Sequence, residues 1–172
     1  MDNDIKKKDD RGVSLVELII VIAIMGIIIG MTGYGLGMVS RKPVDECAKK
    51  IEMILNQNRT SAMGSTEAWV EFYVNAEDRV AVRTHLLNNT RGAAPAKETD
   101  SVIGADGVNI RFFLDSGEED LSTGNKRISF RRDSGSLTGD EHGKIYTKIV
   151  IYKGSYTRTI ELDKLTGKVK LN

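Results

Sequence analysis

The chain has 172 residues, of which 25 are Lys or Arg and 24 are Asp or Glu, for a formal net charge of +1. A balance this even gives no reason to demand nucleic acid or an anionic surface as a partner. The single cysteine, Cys47, excludes an intrachain disulfide, so the fold must rest on a packed core, and the length suits one small domain beside an apolar stem.

Residues 1–11 are short and charged, with Lys6, Lys7, Lys8 and Arg11 set among Asp2, Asp4, Asp9 and Asp10. Gly12 follows, and from Val13 to Val39 there is no Lys, Arg or Asp and one carboxylate, Glu17. A bilayer core of about 30 Å needs roughly 20 apolar residues of helix. This run is long enough to span with some tilt. Basic residues are denser before the run than after it, where Arg41 and Lys42 stand, which biases the N-terminus toward the cytoplasm. Glu17 is the anomaly. A carboxylate at the centre of a membrane helix costs about 2.5–3.5 kcal/mol on insertion scales, and marks a functional site by default.

Gly26, Gly30, Gly33 and Gly37 recur at spacings that place them on one face of this helix. Small residues on one face let apolar helices approach closely. Each interior glycine also costs about 1 kcal/mol of helix stability relative to Ala. The glycine-dense segment 30–37 is therefore the weakest part of the stem.

From Pro43 the pattern becomes amphipathic. Val44, Cys47, Ala48, Ile51, Ile54 and Leu55 form one apolar stripe, with Asp45, Glu46, Lys49, Lys50 and Glu52 outward. Asp45–Lys49 and Glu46–Lys50 are expected i,i+4 pairs. Pro43 suits a first helical turn, so a bend or break is expected near residues 40–43. Gly64 is a natural stop. Cys47 falls on the apolar stripe and reads as core.

The period changes to two at Ala68. Val70, Phe72 and Val74 alternate with Trp69, Glu71 and Tyr73; the turn Asn75–Asp78 leads to Val80, Val82 and Leu86. Residues 88–107 are polar and glycine-containing, and read as a long surface loop. Strands are then expected around Val108–Leu114, Ile128–Phe130, Ile145–Tyr152, Tyr156–Leu162 and Lys168–Leu171. Seven short strands with turns between them argue an antiparallel sheet or small sandwich.

No constellation points to catalysis or to a metal. His85 and His142 are the only histidines, without metal-ligand spacing, and read as solvated. Asp115, Glu118, Glu119 and Asp120 cluster around Gly117. The cluster has calcium-type donors but not EF-hand spacing, and reads as a solvated loop.

Gly12, four residues, Glu17 and an unbroken apolar helix together resemble the prepilin signal of type IV pilins and pseudopilins. The resemblance implies cleavage between Gly12 and Val13 by a membrane aspartic peptidase, with N-methylation of the new first residue. That residue is most often Phe in the family and is Val13 here. It also implies that Glu17 pairs with the N-terminal amine of a neighbouring subunit. Such a pair at about 4 Å gains roughly 4 kcal/mol at an effective dielectric near 20, close to the insertion penalty. Filaments of this family often lose helicity in part of the stem, and residues 30–37 are the expected place. Ile128-Ser129-Phe130, Gly135-Ser136-Leu137 and Thr166–Leu171 resemble the GspH/FimT branch of minor pilins.

The expected fold is α+β: a transmembrane stem that continues as an amphipathic helix, packed on a C-terminal antiparallel sheet or sandwich. The expected boundaries are a leader over 1–12, a membrane and assembly helix over 13–39, an amphipathic helix over 40–64 and an exported β domain over 65–172. The expected function is structural, as a minor subunit of a pilus, competence filament or secretion pseudopilus. Expected partners are sister pilins, the peptidase, a platform protein, an assembly ATPase and membrane lipid, with no cofactor. The alternatives are an uncleaved anchored domain and a tip subunit that binds a surface or DNA. Arg131, Arg132, Arg158, Lys168 and Lys170 are the candidate phosphate contacts for DNA.

Overall fold

The computed structural model describes residues 14–65, 67–87 and 97–172, with residues 31–40 described in backbone only. The chain forms two compact units that divide between Met38 and Val39. The expected leader and cleavage site, with Gly12 and Val13, lie outside the described residues.

Helix α1 runs from Leu15 to Ala62 with Pro43 inside it. The expected break near residues 40–43 does not occur: the backbone is helical through Pro43. Proline removes one donor and crowds the carbonyl four residues back, here that of Val39. The helix closes at the expected stop, where the Gly64 amide donates to the Ser61 carbonyl at 3.1 Å.

In the second unit the helix buries its stripe against two antiparallel sheets. Val44, Cys47, Ala48, Ile51 and Leu55 are fully buried, and each large aliphatic contributes about 1.5–3 kcal/mol. The first sheet holds β1 (Glu67–Val74), β2 (Val80–Leu87), β3 (Lys97–Val102), β6 (Lys126–Phe130) and β7 (Leu137–Thr138), in the order β3-β2-β1-β6-β7. The second holds β4 (Asn109–Leu114), β5 (Gly117–Asp120), β8 (Lys148–Lys153), β9 (Tyr156–Leu162) and β10 (Val169–Leu171), in the order β10-β9-β8-β4-β5. Phe72 on β1 meets Phe112 on β4 with ring centroids 5.2 Å apart, and Phe112 meets Tyr146 at 5.3 Å. Both sheets and the helical stripe thus share one core. The α+β class is the one the sequence leads one to expect.

Three strands were not legible from alternation. Strand β3 lies inside the expected 88–107 loop, of which residues 88–96 fall outside the described residues. All six of its side chains are exposed, so it has no apolar face to betray it. It pairs through backbone and polar side chains, with Arg83 Nε 3.0 Å from Asp100 and His85 Nδ1 3.1 Å from Glu98. Strand β5 contains three of the four residues of the acidic cluster, and β7 is only two residues long.

One further expectation is corrected and one is extended. His85 is not simply solvated: it stacks on Trp69 with centroids 4.6 Å apart and planes 1° from parallel. His142 is exposed, as expected. Asp45 keeps Lys49 as an electrostatic neighbour along the helix, but its hydrogen-bond partners lie elsewhere. It accepts from Arg158 Nε at 2.5 Å and from the Tyr156 hydroxyl at 3.0 Å, both on β9. A guanidinium offers a directed hydrogen bond that a flexible lysine does not. That bond, chiefly, holds the Asp45 carboxyl below the usual carboxylate range.

Candidate functional site

The N-terminal turn of α1 begins at Ser14. The Ser14 carbonyl accepts from the Leu18 amide at 3.1 Å, and its Oγ accepts from the Val16 amide at 3.3 Å. The Glu17 side chain reaches back, and its Oε2 accepts from the Ser14 amide at 3.1 Å. This is one half of a capping box: the Glu17 side chain serves the Ser14 amide, while Ser14 Oγ takes the Val16 amide instead of that of Glu17. The Ser-x-x-Glu spacing announces it, and the sequence reading passed over it in favour of Glu17 alone. That bond holds the Glu17 carboxylate at the helix N-terminus, beside the Ser14 amide. Among the described residues Glu17 Oε1 takes no hydrogen bond.

Behind the cap, every side chain from Ser14 to Gly30 is exposed. Leu15 is 73% exposed and Ile29 71%. A methyl added at Gly26 or Gly30 would meet nothing within 4 Å. Gly33 and Gly37 lie in helical backbone. A helix that is apolar all round belongs inside something, either a bilayer or a bundle. Among the described residues no helix is long and apolar enough to cross a membrane. The fully described stretch Leu15–Gly30 reaches about 24 Å at 1.5 Å per residue, short of a core of about 30 Å.

Residues 7–33 match the family model described as the prokaryotic N-terminal methylation motif. The chain carries a type IV pilin-like prepilin signal. The matched stretch contains Gly12, Val13, Glu17, Gly26, Gly30 and Gly33, and it ends before Gly37 and before the β domain. The curated proteins and the solved structures returned no match to the chain.

The other candidate residues are dispersed. Arg131 and Arg132 are exposed just beyond β6 in the first sheet, whereas Arg158, Lys168 and Lys170 belong to β9, β10 and their connecting turn in the second. Arg131 is paired with Asp133 at 3.0 Å, and Arg158 with Asp45. Two of the five candidate cations thus already have carboxylate partners.

The acidic cluster is likewise committed to cations. Arg111 lies 3.5 Å from Glu118 and 3.8 Å from Asp120, and Lys164 lies 3.3 Å from Asp115. Glu119 is the best held. It takes Lys126 Nζ at 2.8 Å, the Lys144 ammonium, and the Tyr146 hydroxyl at 3.2 Å. Hydrogen bonds from Lys126 and then Lys144 bring its pKa down to about 2. Among the described residues no group of three or more His, Cys, Asp or Glu is placed to hold a metal ion.

Proposed function

We propose that this chain is a structural subunit of a type IV pilin-like filament, matured by cleavage between Gly12 and Val13. The observation that carries the reading is a prepilin signal running straight into an exposed apolar helix with one carboxylate near its start. The precursor sits in the cytoplasmic membrane through residues 13–39, with its N-terminus cytoplasmic and residues 40–172 exported. The sequence run 13–39 supplies about 40 Å of helix. Assembly moves the stem from lipid into a bundle of like stems. The glycine face of Gly26, Gly30, Gly33 and Gly37 permits close approach, and residues 30–37 unwind. Glu17 takes the amine of a neighbour, so that neither charge is left alone in a low dielectric. The bond to the Ser14 amide supports this role by holding the carboxylate at the helix start before a partner arrives.

The resemblance of Ile128–Phe130, Gly135–Leu137 and Thr166–Leu171 to the GspH/FimT branch supports a minor subunit. The partners of this reading are other pilin subunits, the prepilin peptidase, a platform protein, an assembly ATPase and membrane lipid.

The test is the intact mass and N-terminal sequence of the chain expressed with and without a prepilin peptidase, wild type beside Gly12→Ala. The expected product starts at Val13 only when the peptidase is present, and the substitution blocks it. A chain that keeps its leader under all conditions would mean an uncleaved anchor, and the filament reading would fall.

A further inference from the structure

Strand β3 is held to the second unit differently from the other strands of its sheet. Those strands bury apolar side chains: Val70 and Phe72 on β1, Val80 and Val82 on β2, Ile128 and Phe130 on β6, Leu137 on β7. All six side chains of β3 are exposed. The strand is the edge of the sheet and pairs with β2 alone. Burying one large apolar side chain is worth about ten- to a hundredfold in an equilibrium constant, and β3 gains none of it.

What holds β3 is backbone and a few polar contacts. Six residue pairs run from Leu86–Lys97 to Ala81–Val102. Arg83 Nε and Nη2 donate to Asp100 at 3.0 and 3.4 Å, and the Tyr73 hydroxyl donates to the same carboxylate at 3.2 Å. His85 Nδ1 lies 3.1 Å from Glu98, and the Thr84 hydroxyl donates to the Thr99 carbonyl at 3.4 Å. The Arg83 and Asp100 side chains are 38% and 53% exposed. Water competes for such a pair, which is worth at most about fivefold.

The two ends of the strand differ. Directly after it, Ile103 is buried and belongs to the core. The amides of Ile103 and Gly104 both donate to the Val80 carbonyl at 3.0 Å. A methyl added at Gly104 would lie 2.8 Å from Val80 Cβ, so the chain is pressed against β2 at this point. Lys97, at the other end, is exposed. Between the ends, a groove separates α1 from the strand. Ile54 and Asn58 border it on α1, Val82 and Leu86 on β2, and Thr99 and Ser101 on β3. The inner face of β3 thus stands across open space from the helix.

We propose that β3 is a strap: residues 97–102 lift from β2 as a unit, turning about Ile103 and Gly104, while the rest of the second unit stays folded. Opening breaks the six pairs and the contacts of Asp100 and Glu98, and it takes no buried side chain out of the core. It makes β2 the edge of the sheet and bares the outer N–H and C=O groups of residues 81–86, an edge on which a further strand can pair. It also removes one wall of the groove and opens Val82 and Leu86 from the side. The closed form shows the polar, charged edge of Lys97, Glu98 and Asp100, which discourages pairing. The device lies within the second unit and is independent of the filament reading.

The test is hydrogen exchange on the full chain in nanodiscs, read to single residues by mass spectrometry, at urea concentrations below the unfolding transition. The β3 amides bonded to β2 are expected to exchange at least about a hundredfold faster than those of β1, after correction for intrinsic rates, because β1 buries two large side chains. Their rate should hardly change with urea, since a small opening exposes little surface, whereas the β1 rate climbs. Ile103 and Gly104 should keep their protection. Asp100→Asn should speed β3 exchange by up to about fivefold and leave β1 unchanged. Thr84→Cys with Thr99→Cys, at directly paired positions, should slow β3 to the β1 range when oxidised and release it when reduced. Exchange of β3 and β1 at one rate, with one urea dependence, would mean that β3 leaves only in global unfolding and would overturn the proposal. Loss of protection at Ile103 and Gly104 together with β3 would overturn the hinge.

Discussion

Glu17 carries two tasks that one substitution cannot separate and two can. Its Oε2 makes the half capping box with the Ser14 amide at 3.1 Å, and its charge is the proposed partner of a neighbouring subunit's amine. Glu17→Gln keeps a side chain able to close the box and removes the charge. Glu17→Ala removes both. Losing the box costs the first turn about 0.5–1 kcal/mol. Losing the charge removes a pair worth about 4 kcal/mol at an effective dielectric near 20. It also relieves about 2.5–3.5 kcal/mol of cost for carrying a carboxylate in lipid. The net loss counts in the assembled state, where the charge would be paired, and lies between about 1 and 4 kcal/mol per contact. At 1.4 kcal/mol per tenfold, that is about one to three orders of magnitude in subunit affinity. The assay is the ratio of sheared filament to membrane-bound subunit, with helicity by circular dichroism in micelles. The expected result is that Gln keeps wild-type helicity and fails to assemble, while Ala fails and also loses some helix. If Gln assembles like the wild type and Ala does not, Glu17 acts as a cap and the charge-pair argument is refuted.

Four further outcomes follow from the second unit. Glu119→Gln leaves Lys126, itself 5% exposed, without its carboxylate and should cost about 2–3 kcal/mol in the urea midpoint, with Glu119→Leu plus Lys126→Leu recovering part of it. The same group predicts an acid limb. The Glu119 pKa is lowered from 4.5 to about 2, so the unfolded chain binds more protons between those values. Its contribution is present above pH 4.5 and is lost as pH falls toward 2; the fall in melting temperature over that range should be shallower in Glu119→Gln. Cys47 is buried, and desolvation raises its pKa to about 12, so a thiol reagent at pH 8 should label it only as the chain unfolds, and labelling of the native chain would contradict its place in the core. Gly167 sits at φ +64°, and a methyl there would lie 1.8 Å from the Gly135 carbonyl oxygen. Gly167→Ala should therefore destabilise by about 2–4 kcal/mol, measurable by thermal melting; an unchanged melt would mean that the two turns do not touch.

Much of this protein is local and was readable from the chain. The apolar run and its lone carboxylate are contiguous in sequence, so the signal needs no fold to be seen. The helical stripe from Val44 to Leu55 and the alternation of β1, β2, β4 and β9 record one buried face each. The Ser14–Glu17 box was equally local, and three residues of spacing were enough to find it.

What the tertiary structure decided is whatever depends on a distant partner. Strand β3 is polar on both faces, and only its pairing with β2 makes it a strand. The chain passes between the two sheets after β3, β5 and β7, and hydrophobic period gives a strand's buried face but never its neighbour. Asp45 has Lys49 one turn away, and its hydrogen bond goes to Arg158 on β9. The four carboxylates around Gly117 looked like one cluster, and folding distributed them among Arg111, Lys126, Lys144 and Lys164. The groove beside Asn58 is made by three separate stretches of sequence, on α1, β2 and β3. Composition and periodicity are properties of one segment, whereas partners, strand order and clefts are properties of pairs of segments, and only the folded chain brings those pairs together.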